Sequence, residues 1–282
     1  MAGNIELKNI KLIVFDLDGT LLNDENQVGK ETQKLVGKLK DKGVKFSFAT
    51  GRLHNSITEF AELLNITSPL ISLDGAMVKS HPDGKIYCSN YISEKYLKKI
   101  MYIAERHVAK MALCHADAVY YSEYDVVIPQ VLDKYGARFH EVTSYDGFED
   151  KTLEIVVTSD YKQAVQAVEK AVSFPRFLGL RTNFYKTRTS GKYYFLEIRK
   201  SGASKGTGLN KLRKILKIKK KETAALGDWY NDRELLKHAG VKVALQNAVP
   251  EIKKIADIIT KRDHIEDGTA EFLEMVLKAK GG

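Results

Sequence analysis

The sequence is short of cysteine, of long apolar runs and of clustered histidine, and each shortage removes a class of protein. Two cysteines occur, Cys88 and Cys114. They form no close pair, so neither a zinc knuckle nor a disulfide framework is suggested, and two free thiols in a reducing compartment are expected. No segment approaches the roughly 18 apolar residues that span a bilayer. The opening Met-Ala-Gly-Asn-Ile-Glu-Leu-Lys-Asn has no apolar core of the signal-peptide kind. A cytoplasmic chain with no membrane partner is therefore expected. The seven histidines build no metal-ligand cluster, and His54, His115 and His238 are expected on the surface or with satisfied hydrogen bonds. Internal repeats, low-complexity tracts and RNA-binding motifs with interleaved aromatics are missing too. The formal net charge of +9 could attract nucleic acid, a membrane surface or a phosphorylated small molecule. Its main source is expected to be solvated lysines, as in the run Lys219 to Lys221 or at Lys95, Lys98 and Lys99, and no nucleic-acid partner is expected.

What is present is a globular composition. Hydrophobic residues make up 44% and charged ones 29% of 282 residues, enough for one large domain or two ordinary ones. The stretch Leu12-Ile-Val-Phe-Asp16-Leu-Asp18-Gly19-Thr20-Leu-Leu22 organises the rest. Four apolar residues in a row read as a buried parallel strand. The strand runs into two carboxylates one residue apart, and an unpaired buried charge is costly. Open α/β sheets bind ligands beyond the carboxyl ends of their strands. A hard cation, or chemistry that needs a carboxylate nucleophile, fits this tip; an ordinary Asp-Gly turn is the bland alternative.

Strand and helix signals then alternate. A polar turn after Thr20 could form a small hairpin. A helix over Lys30 to Lys42 stops at Gly43. A strand over Val44 to Ala49 delivers Thr50-Gly51-Arg52 to a loop, a helix covers Asn55 to Leu64, and a third strand, Leu70 to Leu73, ends in Asp74-Gly75-Ala76. This βαβαβ order predicts a doubly wound, Rossmann-like parallel sheet. After the turn His81-Pro-Asp-Gly84 the pattern changes to paired strands with shorter helices: strands near Met111 to His115, Ala118 to Ser122, Leu153 to Thr158, Leu178 to Phe184 and Tyr193 to Ile198, and helices over Ser93 to Val108, Val126 to Tyr135 and Tyr161 to Ser173. Residues 85–198 are expected to form an inserted α+β domain; a single continuous α/β domain is the other reading. Alternation returns with a helix begun by Ser201-Gly-Ala-Ser-Lys205-Gly-Thr-Gly-Leu and running to about Leu216, a strand from Glu222 to Leu226 ending in Gly227-Asp228-Trp-Tyr-Asn231-Asp232, a helix over Arg233 to His238, and a strand from Val241 to Leu245 ending in Gln246-Asn247. A helix opened by Pro250, a short strand at Ile258 to Thr260 and a last helix from Ala270 to Ala279 complete it. Residues 1–84 and 199–282 are expected to share one core.

A parallel sheet places Asp16, Asp18, Thr50, Gly51, Arg52, Asp74, Asp228, Asn231, Asp232 and Asn247 along one edge. Several carboxylates without His or Cys suit magnesium with oxygen ligands. A Thr hydroxyl, a Gly-containing loop and Lys205 at a helix start suit an anion. Together they are the parts of phosphoryl transfer. Trp229 and Tyr230 are expected to pack beneath this site.

Asp16-Leu-Asp18-Gly19-Thr20 resembles the first motif of the haloacid dehalogenase (HAD) superfamily. Thr50-Gly51-Arg52 resembles the second motif in its Cof-type phosphatase branch, Lys205-Gly206 the third, and Gly227-Asp228-Trp-Tyr-Asn231-Asp232 the fourth. Leu73-Asp74-Gly75-Ala76 is similar to the branch's Asn-Gly-Ala turn, with Asp for Asn. Asn247-Ala248 and Glu266-Asp267-Gly268 match its C-terminal pattern. The resemblance implies a phosphomonoester hydrolase acting on a small phosphorylated metabolite, with Asp16 as nucleophile and Asp18 as general acid and then base. It implies Mg²⁺ held by Asp16, the backbone carbonyl of Asp18, and Asp228, with Asp232 supporting from behind. It implies phosphate contacts from Thr50, Gly51, Arg52, Lys205, Asn231 and Asn247, and a cap domain that covers the site and selects the leaving group, His115, Tyr120 and Arg181 being candidates for that choice. A phosphosugar mutase of the same superfamily would keep the same residues, and a basic nucleic-acid-binding protein with a vestigial site is a further alternative. The pattern Gly202-Ala-Ser-Lys-Gly206-Thr-Gly208 also occurs in short-chain dehydrogenases, but it does not open a first βαβ here and no Tyr-x-x-x-Lys follows.

Overall fold

The structure, a computed structural model, describes residues 6–122, 138–173, 179–186 and 193–281. In chain order its strands and α-helices are β1 (Leu12–Phe15), α1 (Lys30–Asp41), β2 (Lys45–Phe48), α2 (Thr58–Leu63), β3 (Leu70–Ser72), β4 (Met77–Lys79), β5 (Ile86–Ser89), α3 (Glu94–Arg106), β6 (Lys110–Cys114), β7 (Ala118–Ser122), β8 (Arg138–Val142), β9 (Glu154–Ser159), α4 (Lys162–Ser173), β10 (Leu180–Lys186), β11 (Tyr194–Lys200), α5 (Lys205–Leu216), β12 (Thr223–Gly227), α6 (Arg233–His238), β13 (Val241–Ala244), α7 (Pro250–Ile255), β14 (Ile258–Ile259) and α8 (Gly268–Ala279). The helix expected over Val126 to Tyr135 lies outside the described residues.

The chain divides into two compact units. One comprises Met1–Gly51, Ile57–Cys88 and Ser204–Gly282; the other comprises Arg52–Ser56 and Ser89–Ala203. The first holds a five-stranded sheet in the order β14-β13-β12-β1-β2. Its strands pair in parallel, with Phe15 opposite both Leu226 and Phe48. All four residues of β1 are fully buried, as a central parallel strand covered on both faces must be. Its side chains alternate between two apolar layers. Ile13 and Phe15 meet Leu35, Leu39, Phe272 and Val276 from α1 and α8. Leu12 and Val14 meet Leu209, Leu212, Leu236 and Ile252 from α5, α6 and α7. Helices on both faces make this the doubly wound, Rossmann-like α/β architecture expected.

The third expected core strand joins the sheet through a single bridge, Ala49 to Ile71, and pairs antiparallel with β4 instead. The turn His81–Gly84 closes the β4–β5 hairpin, where Ser80 N donates to Lys85 O at 3.0 Å. β4 is three residues long, too short for a periodic signal.

The second unit carries a six-stranded sheet, β10-β11-β9-β6-β7-β8, antiparallel except at β7–β8. Leu97 and Ile100 of α3 and Val165 and Val168 of α4 pack with Leu113, Ile155, Val157, Leu196 and Ile198 on one face of it. It is the α+β insert that the paired-strand pattern predicts. His115, Tyr120 and Arg181 all lie in this unit. His115 is buried, with Nε2 at 2.8 Å from Phe148 O, and burial pulls its pKa down. Its ring packs against Tyr120.

Candidate active site

The carboxyl ends of β1 and β12 lie side by side, and the sheet register brings their next residues level. Asp16 N donates to Leu226 O at 3.0 Å, and Ala49 N to Phe15 O at 2.8 Å. Asp16, Asp228 and Thr50 thus end three neighbouring strands. Asp16, Asp228 and Asp232 bring carboxylate oxygens within 4.8 Å of one another, all buried.

Lys205 reaches this cluster from the first residue of α5. The helix start is set by a capping box, in which Ser204 Oγ accepts from Thr207 N at 3.1 Å and Thr207 Oγ1 accepts from Ser204 N at 3.0 Å. The ammonium donates to Asp16 Oδ1 at 2.6 Å and to Asp232 Oδ1 at 2.7 Å while only 1% exposed. Burial pulls its pKa down, but Asp16 and Asp232 outweigh that, so the net direction is up and the group stays charged. Asp16 moves the opposite way from an ordinary ion-paired acid. Burial, then Asp232, raise its pKa well above the usual carboxylate range despite Lys205. Asp228 is pushed up to about 6 by burial and by Asp232, against the hydrogen bond from Thr20 and the charge of Lys205.

The acids are not equivalent. Asp232 Oδ1 is taken by Lys205, and its Oδ2 accepts the backbone amides of Asp228 and Trp229 at 3.0 and 3.1 Å. Its carboxylate is saturated with donors and orients the others. Asp228 Oδ1 accepts from Thr20 Oγ1 at 2.9 Å. Its Oδ2 faces Gly19, where a Cβ would come within 2.6 Å, so only glycine lets that loop close on the acid, and its φ of +75° favours glycine as well. Asp16 and Asp228 are the acids left with a ligand-capable oxygen. Asp18 is exposed, two residues beyond Asp16 and close enough to raise that group's pKa.

Thr50 is fully buried. Its N–H donates to Ile71 O at 3.0 Å and its carbonyl accepts from Asp74 N at 2.9 Å. Asp74, in the left-handed region at φ 48°, accepts from Asn231 Nδ2 at 3.1 Å, lies beside Gly51, and adds its charge to those acting on Lys205. Arg52 is buried but groups with the second unit. Asn247 donates from Nδ2 to Gly19 O at 2.8 Å and accepts from His264 N at 3.2 Å. Its amide ties the Gly19 loop to the C-terminal segment.

The structure differs from expectation at Trp229 and Tyr230. They do not pack beneath the site; they are 39% and 53% exposed, edge to face at 5.2 Å. Asp228 and Asp232 occupy the inward positions of that turn, so the residues between them point out. Two participants carried no expected role. Thr20 stood in the first motif at a strand tip, which was the available signal. Asp74 stood where the related turn has Asn.

Three buried carboxylates around one ammonium on a doubly wound sheet define a phosphoryl-transfer type of centre rather than a nucleotide-redox one. The family model for haloacid dehalogenase-like hydrolases matches residues 13–273, and the chain belongs to that family, in the Cof-type branch its motifs resemble. It is 28% identical over 269 residues, covering 93% of this chain and 96% of the relative, to the 5-amino-6-(5-phospho-D-ribitylamino)uracil phosphatase YitU of Bacillus subtilis. It is 29% identical over 297 residues, covering 95% and 100%, to phosphatase YwpJ of the same organism. Among solved structures it is similar to BT1666 of Bacteroides thetaiotaomicron, described among HAD-superfamily phosphatases, with a TM-score of 0.78 and 26% identity over 95% of each chain. A haloacid dehalogenase-like hydrolase from the same organism shares the fold with a TM-score of 0.82 at 24% identity, over 95% of this chain and 99% of that one. The expected enzyme class, a hydrolase of this family, holds. Among the described residues, no helix is long and apolar enough to cross a membrane.

Proposed function

We infer that the chain is a Mg²⁺-dependent phosphomonoesterase acting on small phosphorylated metabolites through an aspartyl phosphate. One observation carries this reading: Asp16, Asp228 and Asp232 are buried together with a single ammonium in contact. Ionised, that set lacks two positive charges. The donors are all oxygen, so they fit a hard divalent ion. Asp16, the backbone carbonyl of Asp18, and Asp228 would hold it, with Asp232 orienting from behind. When bound, Mg²⁺ neutralises the repulsion between a carboxylate nucleophile and a phosphate dianion.

The chain's own residues supply the remainder. Lys205 holds Asp16 by Oδ1, leaving Oδ2 to attack phosphorus as the bond to the leaving oxygen breaks. Asp18, exposed and two residues on, gives a proton to the departing alkoxide. It then takes one from the water that cleaves the acyl phosphate, which releases inorganic phosphate and restores both aspartates. Thr50, Gly51, Lys205 and Asn231 would receive the phosphate oxygens, with Arg52 flanking them. Asn247 would act through the Gly19 loop it holds. The inserted unit would serve as the cap that selects the leaving group.

The test is phosphate release from a panel of metabolite monoesters, with Mg²⁺ and with chelator. Sugar and sugar-alcohol phosphates belong in it, including 5-amino-6-(5-phospho-D-ribitylamino)uracil, on which YitU is named to act. Metal-dependent release from at least one monoester is expected. Isomerised sugar phosphate without free phosphate, or no turnover of any member, would overturn the reading.

A further inference from the structure

Helix α5 carries Lys205 at its first turn. Its other end borders a cavity of about 320 Å³ lined by Asn210, Arg213, Lys214, Lys217, Ile218 and Lys219. That volume lies within the range of about 300–1,000 Å³ of small-molecule sites. Four of the six lining residues are cations. Among the described residues, none of these four side chains lies within ion-pair distance of a carboxylate. Glu222, the next acid in the chain, is paired with Lys11 at 2.6 Å and caps the backbone of Lys219 at 2.9 Å. The guanidinium of Arg213 donates to Asn210 Oδ1, but its Nε is shut off from solvent with no acceptor. Burial, with no acid to offset it, disfavours its charge.

Cations at a helix C-terminus complement its dipole, which accounts for Arg213 and Lys214 in the last turn. It does not account for Lys217 and Lys219 facing the same hollow from beyond the helix. Walls of one sign focus the field into a concavity. We propose that this cavity binds a small polyanion of the di- or triphosphate class, at a site separate from the carboxylate cluster.

The lining specifies the chemistry. No aromatic residue is present to stack a base, which is how single-stranded nucleic acid is commonly held. No acid is present to recognise a cation. Four cations around one hollow, with no acid among the lining residues, match a ligand that carries several negative charges rather than one. Arg213 supplies a planar fork and the lysines supply point charges, the combination suited to linked phosphates.

The probe is tripolyphosphate, titrated calorimetrically in chelator at low ionic strength. Wild-type protein should bind it, with affinity falling as salt rises. Arg213→Gln/Lys217→Gln should weaken binding roughly tenfold or more while leaving phosphate release and the melting curve unchanged. Thr50→Val, which alters only the carboxylate cluster's surroundings, should leave it intact. Equal affinity in wild type and the double variant, loss of binding in Thr50→Val, or no heat with wild type would each overturn the proposal. An oligothymidylate bound more tightly than tripolyphosphate, and lost in the same double variant, would overturn it in favour of nucleic acid.

Discussion

Lys205 and Asp16 stand 189 positions apart in the chain and 2.6 Å apart in space. The same ammonium touches Asp232 at 2.7 Å, so one cation supports two buried acids. Replacing Lys205 by Met leaves both carboxylates without their counter-ion. Breaking a buried pair from one side costs about 3–5 kcal/mol, so Lys205→Met should lower the melting temperature sharply as well as end turnover. Thermal denaturation beside a phosphate-release assay reads both.

Asp16→Asn separates the two effects. On the proposed mechanism it removes the attacking oxygen anion, and it also removes one of three crowded negative charges. Turnover should fall by on the order of 10⁴-fold or more, while the metal-free protein melts no lower than wild type. Activity near the wild-type level would remove Asp16 from the nucleophile's role.

The acids also set a pH signature. Burial and Asp232 raise Asp228 to about 6 in the folded chain from 3.8, and Asp16 moves in the same direction. Between the two values for Asp228 the folded state holds more protons than the unfolded one, so stability falls as pH rises. The slope is about 1.4 kcal/mol per pH unit for one such group. Metal-free protein should therefore lose stability from about pH 4 to pH 6. Added Mg²⁺ should restore it increasingly over the same range, because the ion competes with those protons. Melting curves in chelator and in Mg²⁺ across that window would show it; a gap that does not widen with pH contradicts it.

Asp74→Asn is predicted to be mild and informative. An asparagine oxygen can still accept from Asn231, now at 3.1 Å from Asp74. The change removes a negative charge from beside Gly51 and from the field at Lys205. KM for an anionic monoester should fall severalfold, with stability within about 1 kcal/mol of wild type. Steady-state kinetics over a range of ionic strength would detect it.

Gly75→Ala should be severe although it replaces no charged group of the site. Gly75 sits at φ +89°, and a Cβ there would lie 2.0 Å from Ser204 O, the backbone that starts α5. Backbone on both sides has to shift, which displaces Lys205. A loss of more than about 3 kcal/mol is expected, read as a lowered denaturant midpoint.

The sequence made the catalytic sheet legible because its strands are buried on both faces. Leu12–Phe15 and the Ala-Ala-Leu centre of Thr223–Gly227 read as apolar runs, and a run that leads into an acid marks a strand tip. Helix ends were legible where local chemistry sets them, as at Gly43 just past α1 and Pro250 at a first turn. The hairpin sheet β3-β4-β5 was not, since strands of three or four residues carry too little period. The outward turn of Trp229 and Tyr230 was hidden as well. Their aromatic character suggests burial, while the neighbouring acids decide the geometry. The bridging of Gly19 and His264 by Asn247 joins segments more than two hundred residues apart, which no local pattern encodes.

The sheet that carries the carboxylates is stitched from segments that precede and follow the second unit in the chain. β1 needs β2, made early, and β12, made late. During synthesis the first neighbour is available long before the second. The segment that holds β1 and β2 must wait with one flank of its central strand exposed until residues past 227 leave the ribosome. A nascent chain stalled before Asp228 would carry Asp16 without the other two acids of its cluster, so the cluster should complete only once residues past 232 have emerged.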